Sequence, residues 1–451
     1  MRGKHAINAV TRVLRWPYLS MFLGFAAIIV VGAFLLYLPI SHPGSELPFL
    51  DALFTSTSAV CVTGLIVVDT GTAFSVFGQV VILVLIQVGG LGILTFAALL
   101  LSALGGRLSL RAQSAMQDSF FQKDLLHEFG SILRSILTMT FAIEAAGATY
   151  LFFNFWQHMP LLSAAWSSVF HSISAFCNAG FSIYRDSMVD YAHTPFLMLG
   201  MMALIVLGGI GHVVILELIS YGKRKYNPEQ QNSLVRLSLH TKIVLLSTGF
   251  LIVGGTAMIW LTSISRDYSF LELLFQSVTA RTAGFNSVDI GALPIASLLV
   301  MSGLMFIGAA PGSTGGGVKV TTAMLWGIDL WSGLRGNESV HIFGRTIPRS
   351  RLQRTTILLG VAVIFNFTGL LILSMSDGSH SKMLELFFEQ VSAFATVGLS
   401  TGITPTLSVA GKIWIIITMF VGRLGPLTLV SVIIRPDKER VHLPEEEVMI
   451  G

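Results

Sequence analysis

Apolar stretches of spanning length recur along the chain, at about 18–38, 74–101, 131–153, 196–220, 243–264, 293–310, 355–375 and 411–434. The hydrocarbon core of a bilayer takes roughly 20 apolar residues per crossing helix, so the pattern predicts eight transmembrane helices. Within each successive pair of spans lies a shorter apolar segment, at about 50–60, 163–176, 270–281 and 383–395, too short to cross. Each short segment runs into a Ser/Thr-rich stretch built on a glycine. These are Ser58–Ile66 with Gly64, Ser174–Ser182 with Gly180, Val278–Ser287 with Gly284, and Ser392–Ser400 with Gly398. The glycines lie 116, 104 and 114 residues apart, and Phe54, Phe170, Leu274 and Phe388 stand ten residues before them. Self-similarity at a long, steady period means one structural unit used four times. A short helix that enters the membrane, turns to extended backbone and leaves by the same side fits each unit. Such backbone survives at membrane depth only where it lines water or is buried in protein.

The expected fold is an all-α polytopic membrane protein. It has four parallel span–pore-loop–span repeats around a central pore, with eight transmembrane helices and four re-entrant pore helices. The boundaries are a cytoplasmic N-terminus (1–17), repeats at 18–104, 129–221, 240–333 and 355–435, and a cytoplasmic tail (436–451).

Composition agrees. Of 451 residues 53% are hydrophobic and 12% charged, with a mean hydropathy of +0.75, whereas soluble proteins carry about 25% charged residues. Cys61 and Cys177 occupy matched places three residues before their glycines. They make neither a disulfide framework nor a metal motif and read as small apolar packing. The basic stretch Met1–Trp16 precedes the first apolar segment without a small-residue cleavage site, which predicts an uncleaved helix.

Charge sets the orientation. Of the 28 Lys and Arg, 20 fall in the N-terminus, the three loops between repeats and the tail. Four (Arg185, Arg266, Lys382, Lys412) fall on the opposite side, and Arg134, Arg281, Lys319 and Arg423 at or within spans. Positive residues stay inside, so both termini are expected in the cytoplasm of a multi-pass protein. The positive charge thus serves topology, not nucleic acid. The outer loops carry acids, among them Asp51, Asp69, Asp186, Glu272, Asp289, Asp377 and Glu385. These either solubilise short loops or concentrate cations at an outer mouth.

The candidate chemistry lies in the glycine stretches. Four re-entrant loops around one axis make a ring of backbone carbonyls, which can replace the hydration shell of a monovalent cation. Glycine adds no side chain and reaches backbone conformations costly for other residues. The expected filter is Val62, Thr63 and Gly64; Asn178, Ala179 and Gly180; Thr282, Ala283 and Gly284; and Thr396, Val397 and Gly398. Thr63, Thr282 and Thr396 either supply hydroxyl oxygens or hold the loops in shape. Arg281, close to this ring, is expected to turn away toward an acid or carbonyls, and Glu389 to be a local partner for a buried cation.

The second spans also repeat, as Val88–Gly92, Leu207–Gly211, Ile307–Pro311 and Val421–Gly425. Only the third departs, running on through Gly308, Ala309, Ala310, Pro311, Gly312, Ser313, Thr314, Gly315, Gly316 and Gly317 to Lys319. A phosphate-loop reading fails, because Val318 stands where Lys is required and no strand precedes it. A glycine run in mid-span breaks the helix and must face the water path. Residues 308–317, with Lys319 and Arg423, are therefore the expected gate. So little side chain is expected to leave the run more than one arrangement. Arg423 is placed to hydrogen-bond its freed carbonyls or, in the plainer reading, to pair with Glu144.

These residues resemble the Trk/Ktr/HKT superfamily of potassium transporters over about 18–435. The resemblance rests on T-A-R-T-A-G-F-N-S, A-F-A-T-V-G-L-S-T-G and A-P-G-S-T-G-G-G-V-K. The short N-terminus resembles the KtrB branch, the membrane subunits of bacterial Ktr systems, more than the longer TrkH type. The resemblance implies potassium uptake across a bacterial cytoplasmic membrane, with no covalent cofactor. Potassium would be held at Gly64, Gly180, Gly284 and Gly398, with sodium as a modulator. It implies a homodimer in the lipid bilayer, one pore per subunit, on a cytosolic KtrA-like ring that binds nucleotides. It also implies that 308–317 is an intramembrane gating loop. The alternative is an alternating-access cation symporter, which needs inverted repeats and mid-span coupling carboxylates. Here the repeats are parallel and Glu144 is the one clear mid-span acid. No residue cluster recurs at catalytic spacing, so no enzyme is expected.

Overall fold

The computed structural model describes residues 17–44, 46–92, 125–226, 236–337, 339–378 and 382–425. The basic N-terminus, the loop carrying Arg107, Arg111 and Lys123, the stretch 227–235, the tail from 426, and the far ends of the expected spans 74–101 and 411–434 lie outside them.

The chain is mostly helical and uses one order of elements four times. The first unit is α1 (Pro17–Tyr37), the short α2 (Phe49–Val60) and α3 (Val76–Leu91). The second is α4 (Leu125–Phe155), the short α5 (Leu161–Phe176) and α6 (Pro195–Ile210), with α7 (His212–Tyr226) following. The third is α8 (Leu239–Thr262), the short α9 (Phe270–Thr279) and α10 (Ile295–Phe306), with α11 (Val320–Leu334) after a break. The fourth is α12 (Arg349–Asp377), the short α13 (Met383–Ala395) and α14 (Val409–Leu424). The short helices fall where the pattern placed them, because each is a brief apolar run bounded by a start signal and a glycine segment.

Two expectations are corrected. The segment 196–220 is not one span: α6 and α7 meet at a bend of 100°. Gly211 makes the corner at φ 91°, a conformation that only glycine takes cheaply. Gly92 and Gly425 end α3 and α14 in the same way, at φ 78° and 85°. Hydropathy saw only the continuous apolar run. The chain is also not purely helical, since β1 (His341–Ile342) pairs antiparallel with β2 (Arg345–Thr346) between the third and fourth units.

The units close into a ring in chain order. Unit one meets unit two where Trp166 donates from its indole N–H to Gln79 Oε1 at 2.8 Å. Unit two meets unit three where the Met188 amide donates to the Asn286 carbonyl at 2.9 Å. Phe306 of unit three stacks on Phe394 of unit four, centroids 6.3 Å apart. Unit four returns to unit one through Lys412 and Asp51, 2.9 Å apart. Buried Phe54, Phe170, Phe275 and Phe388 anchor the short helices. The expected Leu274 is only half-buried, and Phe275, one residue later, takes the core position.

Half of the ten acids expected on the outer side serve as caps. Asp69, Glu272, Asp289, Asp377 and Glu385 accept from the backbone amides of Thr72, Ser269, Gly291, Ser408 and Lys382, at 2.6–3.2 Å. These carboxylates satisfy amides that helix and turn starts leave without partners.

Candidate functional site

The four short helices end at the four glycine segments, and the segments meet. A Cβ built on Gly64 would strike the carbonyl oxygen of Ala179; on Gly180, that of Ala283; on Gly284, that of Val397; and on Gly398, that of Thr63. Each glycine thus faces the carbonyl of the residue preceding the next glycine, and the fourth faces the first. All twelve residues of the expected filter come together.

The backbone repeats as well. Gly64, Gly180, Gly284 and Gly398 have φ of 92°, 70°, 79° and 93°, and two residues earlier Val62, Asn178, Thr282 and Thr396 have φ of 55°, 57°, 74° and 50°. Three of those four are β-branched, for which positive φ is a genuine outlier. Such strain persists only where surroundings over-determine it, and here they are visible. The amides of Thr63, Ala179 and Val397 donate to the carbonyls of Ser58, Ser174 and Ser392 at 2.8–2.9 Å. The hydroxyls of Ser58 and Ser392 accept from Gly64 and Gly398 at 3.0 and 3.1 Å. This explains the serine six residues before the glycine in units one and four; in unit two the Ser174 hydroxyl instead donates to the Phe181 carbonyl at 2.7 Å. The third unit has Val278 there, and its Ala283 and Gly284 amides both go to the Thr279 carbonyl.

A second set of braces was not read from the sequence. From the middle of each later short helix, a buried polar side chain reaches a serine just past the glycine. His171 Nε2 is 3.0 Å from Ser182 Oγ, and Gln276 Nε2 donates to Ser287 Oγ at 3.0 Å. Glu389 accepts from Ser400 Oγ, from Thr404 Oγ1 at 3.0 Å and from the Thr401 amide at 3.2 Å. Its expected cation partner is corrected: hydroxyls and an amide surround this fully buried carboxyl. The residues share no letter between units, which hid the shared role.

Arg281 turns away from the ring, but its partner is the Thr248 hydroxyl at 3.4 Å, not an acid or carbonyls. Asn178 and Thr282 Oγ1 lie 3.2 Å apart, linking units two and three. The two cysteines are buried and free. Cys177 packs against Gly90 and donates weakly to Glu144 Oε1 at 3.7 Å.

Beneath the ring lies the broken segment. In units one, two and four a glycine of the second long helix, Gly89, Gly208 or Gly422, packs on the end of its own short helix, at the carbonyl of Val60, Phe176 or Phe394. In unit three Gly308 instead packs on the carbonyl of Gly316, because the chain has folded back under the ring. Gly315 lies against the Thr282 side chain and Gly316 against that of Thr396, so these threonines face the glycine run.

In this structure hydrogen bonds tie the run to its surroundings. The Gly308 amide donates to Val318 O at 2.8 Å, Ala310 to Gly209 O at 3.0 Å and Val320 to Ala309 O at 3.2 Å. His212 contributes its amide and Nδ1 to Gly312 O, at 3.1 and 3.0 Å. Lys319 Nζ donates to Gly315 O at 2.6 Å. Arg423 donates to the carbonyls of Thr314 and Gly89, the bond to freed carbonyls that its position predicted. Glu144 is not its partner. Backbone bonds replace the side-chain packing that composition lacks.

On the opposite face of the ring, a cavity of about 380 Å³ is lined by the four glycines and the segments that follow them. Asp186, Asp289 and Arg185 stand in its wall. Among the described residues no group of three or more His, Cys, Asp or Glu could hold a metal ion.

Comparison with known proteins agrees with this architecture. Residues 25–442 match the family model described as TrkH, cation transport protein. The chain is 36% identical to the Ktr system potassium uptake protein B of Vibrio alginolyticus, over 95% of this chain and 94% of that one. It is 36% identical to the protein of the same name from Bacillus subtilis, over 98% and 99%. The fold matches the crystal structure of the potassium transporter TrkH from Vibrio parahaemolyticus, with a TM-score of 0.73 and 18% identity over 93% of this chain and 85% of that one. The chain is thus a multi-pass membrane transporter rather than an enzyme, and it belongs to the TrkH family of cation transport proteins.

Proposed function

We propose that this chain is the membrane subunit of a potassium uptake system, and that potassium crosses along the axis of the four-glycine ring. The observation that carries this reading is the closed order in which each glycine faces the carbonyl preceding the next. A ring of carbonyl dipoles suits a dehydrated monovalent cation, and the short helices aim their C-terminal, negative dipole ends toward it. In this reading the four units are parallel repeats with re-entrant short helices. The filter is residues 62–64, 178–180, 282–284 and 396–398, the 380 Å³ cavity is the outer vestibule, and both termini are cytoplasmic. The relatives named for Ktr potassium uptake support the choice of ion. Their name, that of one protein of a Ktr system, also supports a Ktr partner subunit; a cytosolic nucleotide-binding ring and a homodimer belong to the same proposal.

Residues 308–317, with Lys319 and Arg423, act as the gate in this reading. The run sits directly against Thr282 and Thr396, below the filter. Its bonds to units two and four are each worth about 1 kcal/mol net, and about 1.5–3 when a charge takes part. Their sum is comparable to the roughly 5.5 kcal/mol that turns a two-state element from mostly closed to mostly open. A partner that binds one arrangement selectively can supply that difference.

The test is growth of a potassium-uptake-deficient bacterium on low potassium, with and without a ring subunit. Wild type is expected to rescue and Gly398→Ser to fail. Absence of rescue by well-expressed wild type with its ring would overturn the reading.

A further inference from the structure

A groove of about 960 Å³ runs along the second unit between α4, α6 and α7. Small residues make up part of its walls, Ala142, Ala146 and Gly147 on α4 and Gly200 and Ala203 on α6; Gly147 packs against Leu204 and Ser172, and Gly200 against the Tyr150 ring. The rest of the lining is almost wholly apolar. Charge occurs only in Arg134 and Lys223. Tyr150 also lines the groove, and its hydroxyl donates to the Phe196 carbonyl at 2.9 Å.

The bend at Gly211 makes the groove's floor. Because α7 leaves α6 at 100°, it carries Ile219 and Lys223 back across toward Arg134 instead of continuing through the bilayer. Along α4, Arg134 and Tyr150 are separated by about 24 Å at 1.5 Å per residue. That exceeds one leaflet, half of the roughly 30 Å hydrocarbon core. The groove is therefore long enough for an extended acyl chain and its headgroup.

A soluble ligand has no route to an apolar trough on a membrane-embedded surface, and a neutral lipid gives no reason for two cations at one end. Basic pockets between transmembrane helices recognise anionic headgroups, and long basic side chains reach the interface from inside a span. We infer that this groove is a binding site for an anionic phospholipid, its phosphate held by Arg134 and Lys223 and one acyl chain laid between α4 and α6. α7 begins at His212, which holds the Gly312 carbonyl. A lipid anchoring the far end of α7 therefore restrains the helix whose first residue holds the middle of the 308–317 segment. The lipid site stands on the groove itself and does not depend on how that segment works.

The experiment is native mass spectrometry of the purified full chain, exchanged against phosphatidylglycerol or phosphatidylcholine of the same acyl length. Wild type is expected to retain one phosphatidylglycerol per chain, at least fivefold in preference to phosphatidylcholine. R134Q/K223Q should lose the preference, and R134K should keep it. Ala146→Trp, which fills the apolar part and spares both cations, should retain neither lipid. Equal retention of the two lipids by wild type overturns the inference without reference to any variant. So does undiminished preference in R134Q/K223Q. Efficient disulfide cross-linking between two chains carrying Ala146→Cys overturns it as well, by making a second copy the occupant. Loss of potassium uptake has no bearing on these readouts, so failure here is distinguishable from failure of the transport reading.

Discussion

Arg423 and Thr314 are 109 positions apart and joined by a hydrogen bond from guanidinium to carbonyl. The same guanidinium holds the Gly89 carbonyl, so one side chain of the fourth unit ties the folded-back segment of the third to the first. Among the described residues no acid pairs with this buried cation, which carbonyls satisfy; in the proposed gate it acts as positive charge beside the path and as a latch. Arg423→Ala is expected to raise uptake velocity at saturating potassium severalfold in cells lacking the ring subunit. Arg423→Lys, which keeps charge but not the fork, should have a smaller effect. Unchanged velocity at matched membrane expression in Arg423→Ala would mean the bond is structural only.

Deleting Gly312–Gly317 removes the acceptor of His212 and both acceptors of the Lys319 and Arg423 latches within the run. Velocity should rise further than in Arg423→Ala, and its dependence on the ring subunit should weaken. A lower velocity in the well-expressed deletion would make the segment a structural support.

At the ring, Gly284→Ser and Gly398→Ser place a Cβ against the carbonyls of Val397 and Thr63. A left-handed conformation also costs a non-glycine residue about 1–2 kcal/mol. Reduced potassium affinity, or poorer discrimination against sodium, is expected in each. Competition between rubidium and sodium in uptake measures both, and wild-type values in both variants would remove the filter assignment.

Glu389 offers a subtler handle on the same ring. Glu389→Leu leaves the hydroxyls of Ser400 and Thr404 and the Thr401 amide without their acceptor. Each buried unpaired group costs about 1–3 kcal/mol. The segment after Gly398 should loosen, and potassium–sodium discrimination should fall with little change in expression. Glu389→Gln, which keeps acceptor capacity, should retain most of it. Equal selectivity in Glu389→Leu and wild type would confine the residue to folding.

Lys412 and Asp51 close the circle of units at 2.9 Å, with side chains only 15% and 12% exposed. Breaking a largely buried pair from one side costs up to about 3–5 kcal/mol, because the other charge is left unpaired. Lys412→Met should lower the melting temperature of the detergent-solubilised protein by several degrees. The exchange D51K/K412D should recover most of the loss. A melting temperature in Lys412→Met equal to wild type would show the pair to be incidental.

Much of this molecule was legible in one dimension. The short helices, their glycines and the fourfold recurrence follow from apolar run lengths and turn chemistry, which are local properties. The departure of the third unit at Gly308–Gly317 was legible for the same reason, as was the serine that precedes three of the glycines. Arg423 was marked because a cation in an apolar span is costly and needs a reason. Its partners, however, lie in two other units, and only packing brings Thr314 and Gly89 to it. The bend at Gly211 was invisible to hydropathy, since water affinity says nothing of backbone direction. Local composition marked the glycine run but not its partners, which are backbone and side-chain groups of distant units. His171, Gln276 and Glu389 share a position and no chemistry, so pattern could not join them. Tertiary structure did, because each had to satisfy its buried polar atoms with whatever stood opposite. Sequence determined the unit and its number; three-dimensional closure decided which atoms of different units face one another.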